Sequence, residues 1–98
     1  MILVRNTFQL KFGKAKDAKV LIQEHLELIK KYGQTTPRFM TDVTGEFYTL
    51  VMELSYEDLS AFEKSAKETM GTKDFEQWYQ KFVPLVQSGH REIFSILN

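Results

Sequence analysis

The sequence lacks cysteine altogether and has only two prolines in 98 residues. Without cysteine there are no disulfide bonds, no thiolate metal sites and no cysteine nucleophiles. Net charge is lacking as well, since 13 basic residues balance 13 acidic ones. A chain that is neutral overall has no electrostatic basis for binding nucleic acid or an anionic membrane, and we expect neither partner.

Long hydrophobic runs are also missing. The apolar start at residues 1–4 meets Arg5 and Asn6 at once, so it is too short for the core of a signal peptide or for a membrane span. We therefore expect a soluble, cytoplasmic protein. The length predicts a single domain over residues 1–98.

Aromatic residues are plentiful by contrast, at 13% of the chain with eight phenylalanines. A domain of this size buries only roughly 60–70% of the surface that its unfolded chain exposes, so one core cannot absorb every aromatic side chain. Aromatic surface left outside a core indicates a partner or a ligand cleft.

The hydrophobic pattern predicts a strand, a helix and a hairpin, followed by two helices and a last strand. In the hairpin, Asp42 and Gly45 flank a short connection between two β-favouring runs. Ser55 is the expected N-cap of the second helix, and Thr72 or Asp74 that of the third. The predicted elements are a strand over 2–12, a helix over 14–32, the hairpin over 37–54, a helix from Ser55 to Gly71, a helix from there to Ser88 and a strand over 90–97.

This order predicts an α+β fold, a ferredoxin-like βαββαβ sandwich with an extra short helix before the last strand. Two strand–helix–strand units joined by a hairpin give a four-stranded antiparallel sheet, with strands 1 and 3 at its centre and the helices on one face. In strand 1, Asn6 is a polar residue on the apolar side that should face the helices.

The second face of the sheet requires a cover of its own. Both residue sets of strand 3 are largely apolar, and the helices of one chain cover only one face. A second copy packed face to face would bury the other face by two-fold symmetry, so we predict a homodimer through the sheet face. The alternative is a mixed, solvated face, to which strand 1 contributes Arg5, Thr7, Gln9 and Lys11.

A family resemblance is carried by short segments spread over nearly the whole chain. They are Val4–Phe8 leading to Phe12–Lys14, Lys30–Gly33, Asp42–Gly45, Leu50–Glu53 followed by Ser55–Leu59, and Ser88–Phe94. On these segments the chain resembles the dimeric α/β-barrel superfamily, and within it the NIPSNAP-like and antibiotic-monooxygenase-like proteins. The resemblance implies the ferredoxin-like fold and dimerisation. Because that superfamily holds enzymes, ligand binders and proteins of no known role, it leaves open whether the chain is an enzyme.

His25 is the most informative polar residue, since it falls near the middle of the apolar face of the first helix. It could act as an acid or base or bind a haem-type cofactor, or it could be a neutral core histidine hydrogen-bonded to Asn6. Asn6 resembles in position the strand-1 asparagine of cofactor-free monooxygenases and haem-degrading enzymes of the superfamily. Trp78 departs from their pattern, because it lies just before the last strand and not on the helix after strand 3. We predict no cofactor.

Other residues offer a weaker signal. Trp78, Tyr79 and Phe82 form an aromatic stripe on the third helix, and Tyr48 could join it from strand 3. Such a stripe is either core or a flat wall for a planar ligand. The charged strand residues Arg5, Arg38, Glu53 and Arg91 either bind an anionic ligand or form ion pairs across a dimer interface. No metal-ligand set is present, and we predict no metal.

Three functions follow from these residues. The favoured one is a small dimeric protein that binds a small hydrophobic ligand in a cleft between sheet and helices. The second is a cofactor-independent monooxygenase or isomerase, in which Asn6 polarises a substrate oxygen, His25 moves a proton and Trp78 packs against the ring. The third is a purely structural oligomer with a filled core. A cavity in contact with Asn6 and His25 would favour the first two.

Overall fold

The sheet is antiparallel throughout and has the strand order β2-β3-β1-β4 in the computed structural model, which describes residues 1–98. The elements are β1 (Ile2–Leu10), α1 (Ala15–Lys31), β2 (Arg38–Thr41), β3 (Thr49–Tyr56), α2 (Leu59–Met70), α3 (Lys73–Phe82), a 3-10 turn (Val83–Leu85) and β4 (Val86–Ser95). The predicted α+β ferredoxin-like fold is confirmed, with strands 1 and 3 at the centre of the sheet. None of the helices combines the length and apolar content that crossing a bilayer would need.

The strand register assigns each side chain to one of two faces, because directly opposed residues in antiparallel strands point to the same side. Asn6 lies opposite Met52 on β3 and opposite Arg91 on β4. Arg5 lies opposite Glu53 and Glu92 in the same two strands. We call the side that carries Asn6 the helix face and the side that carries Arg5 the open face.

The hydrophobic core lies between the helix face and α1. One stripe of α1 is apolar at helical spacing, and it packs on the centre of the sheet and on the end of α3. The buried cluster is made of Leu10, Ala18, Leu21, Ile22, Leu50 and Phe82. Gly33, with φ at +65°, follows the helix in the left-handed conformation that glycine commonly adopts after a helix C-terminus.

The second helix has a different cap from the predicted one. Asp58, not Ser55, is its N-cap, and the Asp58 carboxylate accepts a hydrogen bond of 2.8 Å from the backbone N–H of Ala61. Ser55 is unavailable because β3 continues to Tyr56, with Ser55 opposite Leu3 of β1. Strand pairing therefore moved the start of the helix by about one turn from the Ser55 prediction.

Replacing Asp58 with alanine is expected to lower the free energy of unfolding by about 1 kcal/mol, because one donor at the N-terminus of α2 loses its acceptor. Urea denaturation followed by circular dichroism measures the change. Ser55→Ala, at an exposed position that caps nothing, is the control and should change the free energy by less than about 0.5 kcal/mol. A larger loss in the Ser55 variant would contradict the assignment.

The end of the third helix also differs from prediction. Thr72 is confirmed as the N-cap, but α3 ends at Phe82 and β4 begins at Val86, four residues before the predicted His90. Pro84 ends the helix because it has no N–H to donate and its ring clashes with the preceding turn. Gly89 then lies inside a strand, where a Cβ atom would come within 3.1 Å of the Phe8 ring.

The hairpin connection is longer than predicted. It runs over 42–48, and β3 begins at Thr49. The Asp42 carboxylate closes it by accepting a hydrogen bond of 2.9 Å from the backbone N–H of Thr49. Tyr48 has a φ of +61° in the left-handed region, which bends the chain into β3 and places Tyr48 before the strand.

Candidate functional site

A cleft of about 470 Å³ lies between α2 and the helix face of the sheet. We call it the α2 cleft. Residues of β1, β3 and β4 form its floor, α2 forms one wall, and α1 and α3 form another. Its lining residues are Val4, Asn6, Phe8, His25, Ile29, Gln34, Thr35, Met52, Leu54, Tyr56, Phe62, Ser65, Ala66, Thr69, Met70, Phe75, Trp78, Tyr79, Gly89, His90 and Arg91.

The cleft exists because α2 packs only loosely on the sheet, where its Phe62 ring contacts Tyr56 of β3. Leu59 and Met70 are apolar residues of α2, yet no residue of this helix is buried, and these two are more than half exposed. The core contacts that hold α1 and the end of α3 are absent under α2. The space that α2 leaves over β1 and β4 is the α2 cleft.

Four of the predicted site residues meet in this cleft, namely Asn6, His25, Trp78 and Tyr79. Two others do not reach it. Tyr48 lines a separate surface depression beside Phe12, because its position before β3 turns it away. Phe82 belongs to the hydrophobic core, where it is 4% exposed and stacks on Trp78 with ring centres 4.9 Å apart.

The His25 side chain is held in a cage of aromatic rings. Its ring centre lies 4.6 Å from that of Trp78, 5.3 Å from that of Phe75 and 5.6 Å from that of Phe39. The side chain is buried, and its Nδ1 atom has no hydrogen-bond partner. The predicted bond from His25 to Asn6 is therefore wrong. Such an orphaned nitrogen is rare in a folded protein and leaves His25 free to form a hydrogen bond with a ligand.

Burial sets the protonation state of this histidine. Removal from water disfavours the imidazolium and lowers the pKa of His25 to about 4. At neutral pH the ring is uncharged. It can then exchange a hydrogen bond with a ligand, but it is a weak base, because a strong general base has a pKa near the working pH.

Trp78 fixes the position of this cage. Its indole Nε1 donates a hydrogen bond of 2.6 Å to the backbone carbonyl of Leu21 on α1. Leu21 precedes His25 by one helical turn, so the bond locks α3 against the part of α1 that carries the imidazole. Trp78 is also the sole tryptophan of the chain and it lines the α2 cleft, so its fluorescence is a probe of this site.

Asn6 has a different partner from the predicted one. Its Oδ1 accepts a hydrogen bond of 2.7 Å from Nε of Arg91, the residue opposite it on β4. The Arg91 guanidinium carbon lies 5.1 Å from the centre of the Phe62 ring. An arginine held by an amide on one side and by an aromatic face on another has a fixed orientation.

The α2 cleft contains a positive charge that no acidic side chain balances. Arg91 forms no ion pair, and no aspartate or glutamate is among the lining residues. The sequence indicated Arg91 only as one of several charged strand residues. The signal that separates it from the others is its register opposite Asn6, which places it on the helix face.

The open face keeps its charges paired. Glu53 is 8% exposed and accepts hydrogen bonds from Arg5 at 2.7 Å and from Arg38 at 3.4 Å. The hydrogen bond from Arg5, the largest effect, holds the pKa of Glu53 below its usual value. These are ion pairs between neighbouring strands of one chain, whereas the sequence suggested a bound anion or pairs across a dimer interface.

Comparison with known proteins shows which families and structures this chain resembles. The NIPSNAP family model matches residues 5–98. No curated protein matches the chain. A NIPSNAP domain protein from Burkholderia xenovorans superposes with a TM-score of 0.85 at 18% identity, over 98% of this chain and 94% of that one.

Two further structures share the fold. A NIPSNAP family protein of unknown function from Agrobacterium tumefaciens has a TM-score of 0.87 at 16% identity, covering 96% of this chain and 86% of the other. A Nitrosomonas europaea protein proposed to be an antibiotic biosynthesis monooxygenase has a TM-score of 0.76 at 15% identity, with both chains covered in full at 100%. At such identities the similarity shows the fold alone.

Proposed function

This chain belongs to the NIPSNAP family, and from its geometry we propose that it binds a small hydrophobic ligand in the α2 cleft. The observation that carries the proposal is the mostly apolar volume of about 470 Å³ that α2 leaves over the sheet. Pockets that bind small molecules are commonly about 300–1,000 Å³, apolar, and equipped with a few polar groups. Here Asn6, His25 and Arg91 are those groups.

A purely structural role fits this architecture less well. A filled core would place the apolar side of α2 on the sheet, as α1 does, and would give His25 a hydrogen-bond partner. Here no residue of α2 is buried and Nδ1 of His25 has no partner. An unfilled apolar space beside an orphaned polar atom has an energetic penalty that a ligand would remove.

Filling the cleft should abolish binding without unfolding the protein. Ala66 lines the cleft from α2, so Ala66→Phe projects a ring into the space that a ligand needs. With 1-octanol as the probe and the fluorescence of Trp78 as the readout, we expect an affinity lower by about tenfold or more. Circular dichroism should show an unchanged fold, since residues of α2 are not tightly packed.

The matched control adds the same ring outside the cleft. Ser60 is exposed on α2 and does not line the cavity, so Ser60→Phe should bind octanol as the wild type does. Equal affinity in the Ala66 variant would count against the α2 cleft as the site. A wild-type protein whose Trp78 fluorescence octanol does not change would count against the function itself.

The alternative function is a cofactor-independent monooxygenase or isomerase acting on a hydrophobic or aromatic substrate. The observation in its favour is that Asn6, His25 and Trp78 all line one cleft. The low pKa of His25 speaks for binding instead, because the neutral ring is a weak base. Oxygen uptake or product formation from an aromatic substrate without added cofactor, lost in His25→Phe, would select the enzyme.

The homodimer through the open face is also a proposal. By register, Leu3, Val51 and Phe94 lie on that face, beside the paired charges around Glu53. The helices of one chain lie on the opposite side. A second copy is the partner whose surface matches this face by symmetry, and such an assembly would be a dimeric α/β barrel.

A further inference from the structure

Arg91 is an unusual residue for the helix face of the sheet. Strand residues on the covered side are normally apolar, yet Arg91 lies on this side because it is opposite Asn6. Its side chain is accessible from the α2 cleft, which it lines. Asn6 and Phe62 hold its guanidinium from two directions. Only Nε is used by Asn6, which leaves the two terminal nitrogens without a hydrogen bond.

The other arginines of the sheet show what is missing at Arg91. Arg5 and Arg38 lie on the open face, and both donate to the carboxylate of Glu53. Arg91 has no such acceptor, and the α2 cleft contains no acidic side chain. A guanidinium presents a planar pair of N–H donors that matches the two oxygens of a carboxylate. The free edge of Arg91 is thus a site whose complementary group is absent from the chain.

The rest of the cleft determines what that group is attached to. Its walls are mostly apolar and aromatic, from Val4 and Leu54 on the sheet to Phe62 and Met70 on α2. These walls suit a hydrocarbon chain or ring. A single arginine balances one negative charge, which favours a carboxylate over a phosphate monoester with nearly two.

We propose that the ligand of the α2 cleft is a hydrophobic monocarboxylate, with its carboxylate paired to Arg91 beside Asn6 and its apolar part against the aromatic walls. This inference depends on the proposed function, because it names the chemical class of the same ligand. Arg91 would be the residue that selects a carboxylate over a neutral molecule of equal size.

The test compares two probes of the same chain length, octanoate and 1-octanol, at neutral pH. In the wild type octanoate should bind more tightly than octanol, with the fluorescence of Trp78 or titration calorimetry as the readout. Arg91→Met should weaken octanoate binding by about 10- to 100-fold, the range expected for loss of a charge-assisted hydrogen-bonded pair. Octanol binding should fall by much less than octanoate binding, because a neutral hydroxyl forms no ion pair with Arg91, and circular dichroism shows whether the variant is folded.

Two further variants separate geometry from net charge. Arg91→Lys keeps the charge but loses the planar donor pair, so its octanoate affinity should fall between those of the wild type and Arg91→Met. Lys67→Met removes one positive charge from α2 at an exposed position outside the cleft. It should bind octanoate as the wild type does, and a loss equal to that of Arg91→Met would overturn the role of Arg91.

The outcomes distinguish this inference from the proposed function. Equal binding of octanol and octanoate, unchanged by Arg91→Met, would overturn the carboxylate inference and leave the hydrophobic site standing. Failure of both probes to bind the wild type would overturn the hydrophobic site and the inference together. A preference for octanoate that disappears in Arg91→Met supports both.

Discussion

Replacement of His25 by phenylalanine is expected to remove about 2 kcal/mol of the pH dependence of folding between about pH 7 and pH 5. In the folded protein, burial lowers the pKa of His25 to about 4. In the unfolded chain the pKa of a histidine is near its ordinary value of about 6.5. Between these two values the unfolded state binds a proton that the folded state excludes.

The sign of the effect follows from this difference. Stability rises with pH wherever the unfolded state holds more protons. The contribution of His25 is therefore complete above about pH 6.5 and is lost as the pH falls towards about 4. Phenylalanine has no proton to bind, and the aromatic cage formed by Trp78, Phe75 and Phe39 accepts a ring of similar size. The variant should also gain stability of about 1 kcal/mol at neutral pH, because the unpartnered Nδ1 is removed.

Urea denaturation at about pH 7, 6 and 5 measures the free energy of unfolding at each pH and so tests this prediction. The range ends before the carboxylates titrate, notably Glu53 and Asp74, whose pKa values are lowered by hydrogen bonds from Arg5 and Lys31 respectively. Equal slopes in the wild type and His25→Phe would show that His25 is not buried in the neutral form.

A charge at the centre of the open face should dissociate the proposed dimer. Val51 is on the central strand β3, opposite Thr7 on β1 and Met40 on β2. In a symmetric interface Val51→Glu occurs twice, once from each subunit, and each carboxylate loses water without gaining a partner. We expect the dimer dissociation constant to rise by about a thousandfold, or about 4 kcal/mol.

Sedimentation velocity over a range of concentrations measures this equilibrium. Val43→Glu makes the same substitution in the hairpin loop, where Val43 is 98% exposed, and should sediment as the wild type does. Circular dichroism tests whether the Val51 variant retains its fold. A wild-type protein that sediments as a single subunit at micromolar concentration would contradict the proposed dimer directly.

Local sequence signals were sufficient for the parts of the fold that depend on one element at a time. The first helix and the N-cap at Thr72 are where the residue patterns indicated. The predictions are wrong where pairing between strands that are distant in the sequence determines the structure. Ser55 is a good cap by type, but its pairing with Leu3 keeps it in β3. Such pairing has no local signature.

Prediction of the candidate site from the sequence was limited in the same way. That Asn6 and His25 line one cleft was predictable, because one is polar on an apolar strand face and the other polar on an apolar helix face. The partner of Asn6 was not predictable, because Ile93 and Phe94 are adjacent apolar residues and the alternation in β4 has no clear phase. Without that phase, Arg91 could not be assigned to a face.

The two edges of the sheet differ in length, and this difference bears on how copies of the chain could associate. The β2 edge has only four residues and follows Pro37, so it offers few free backbone groups to another strand. The β4 edge is ten residues long and would be the natural template for edge-to-edge growth into a continuous intermolecular sheet. Its middle is charged at Arg91 and Glu92, and charges on an edge strand oppose amyloid-like stacking. A substitution that neutralised this edge would therefore put the chain at risk of aggregation through its backbone.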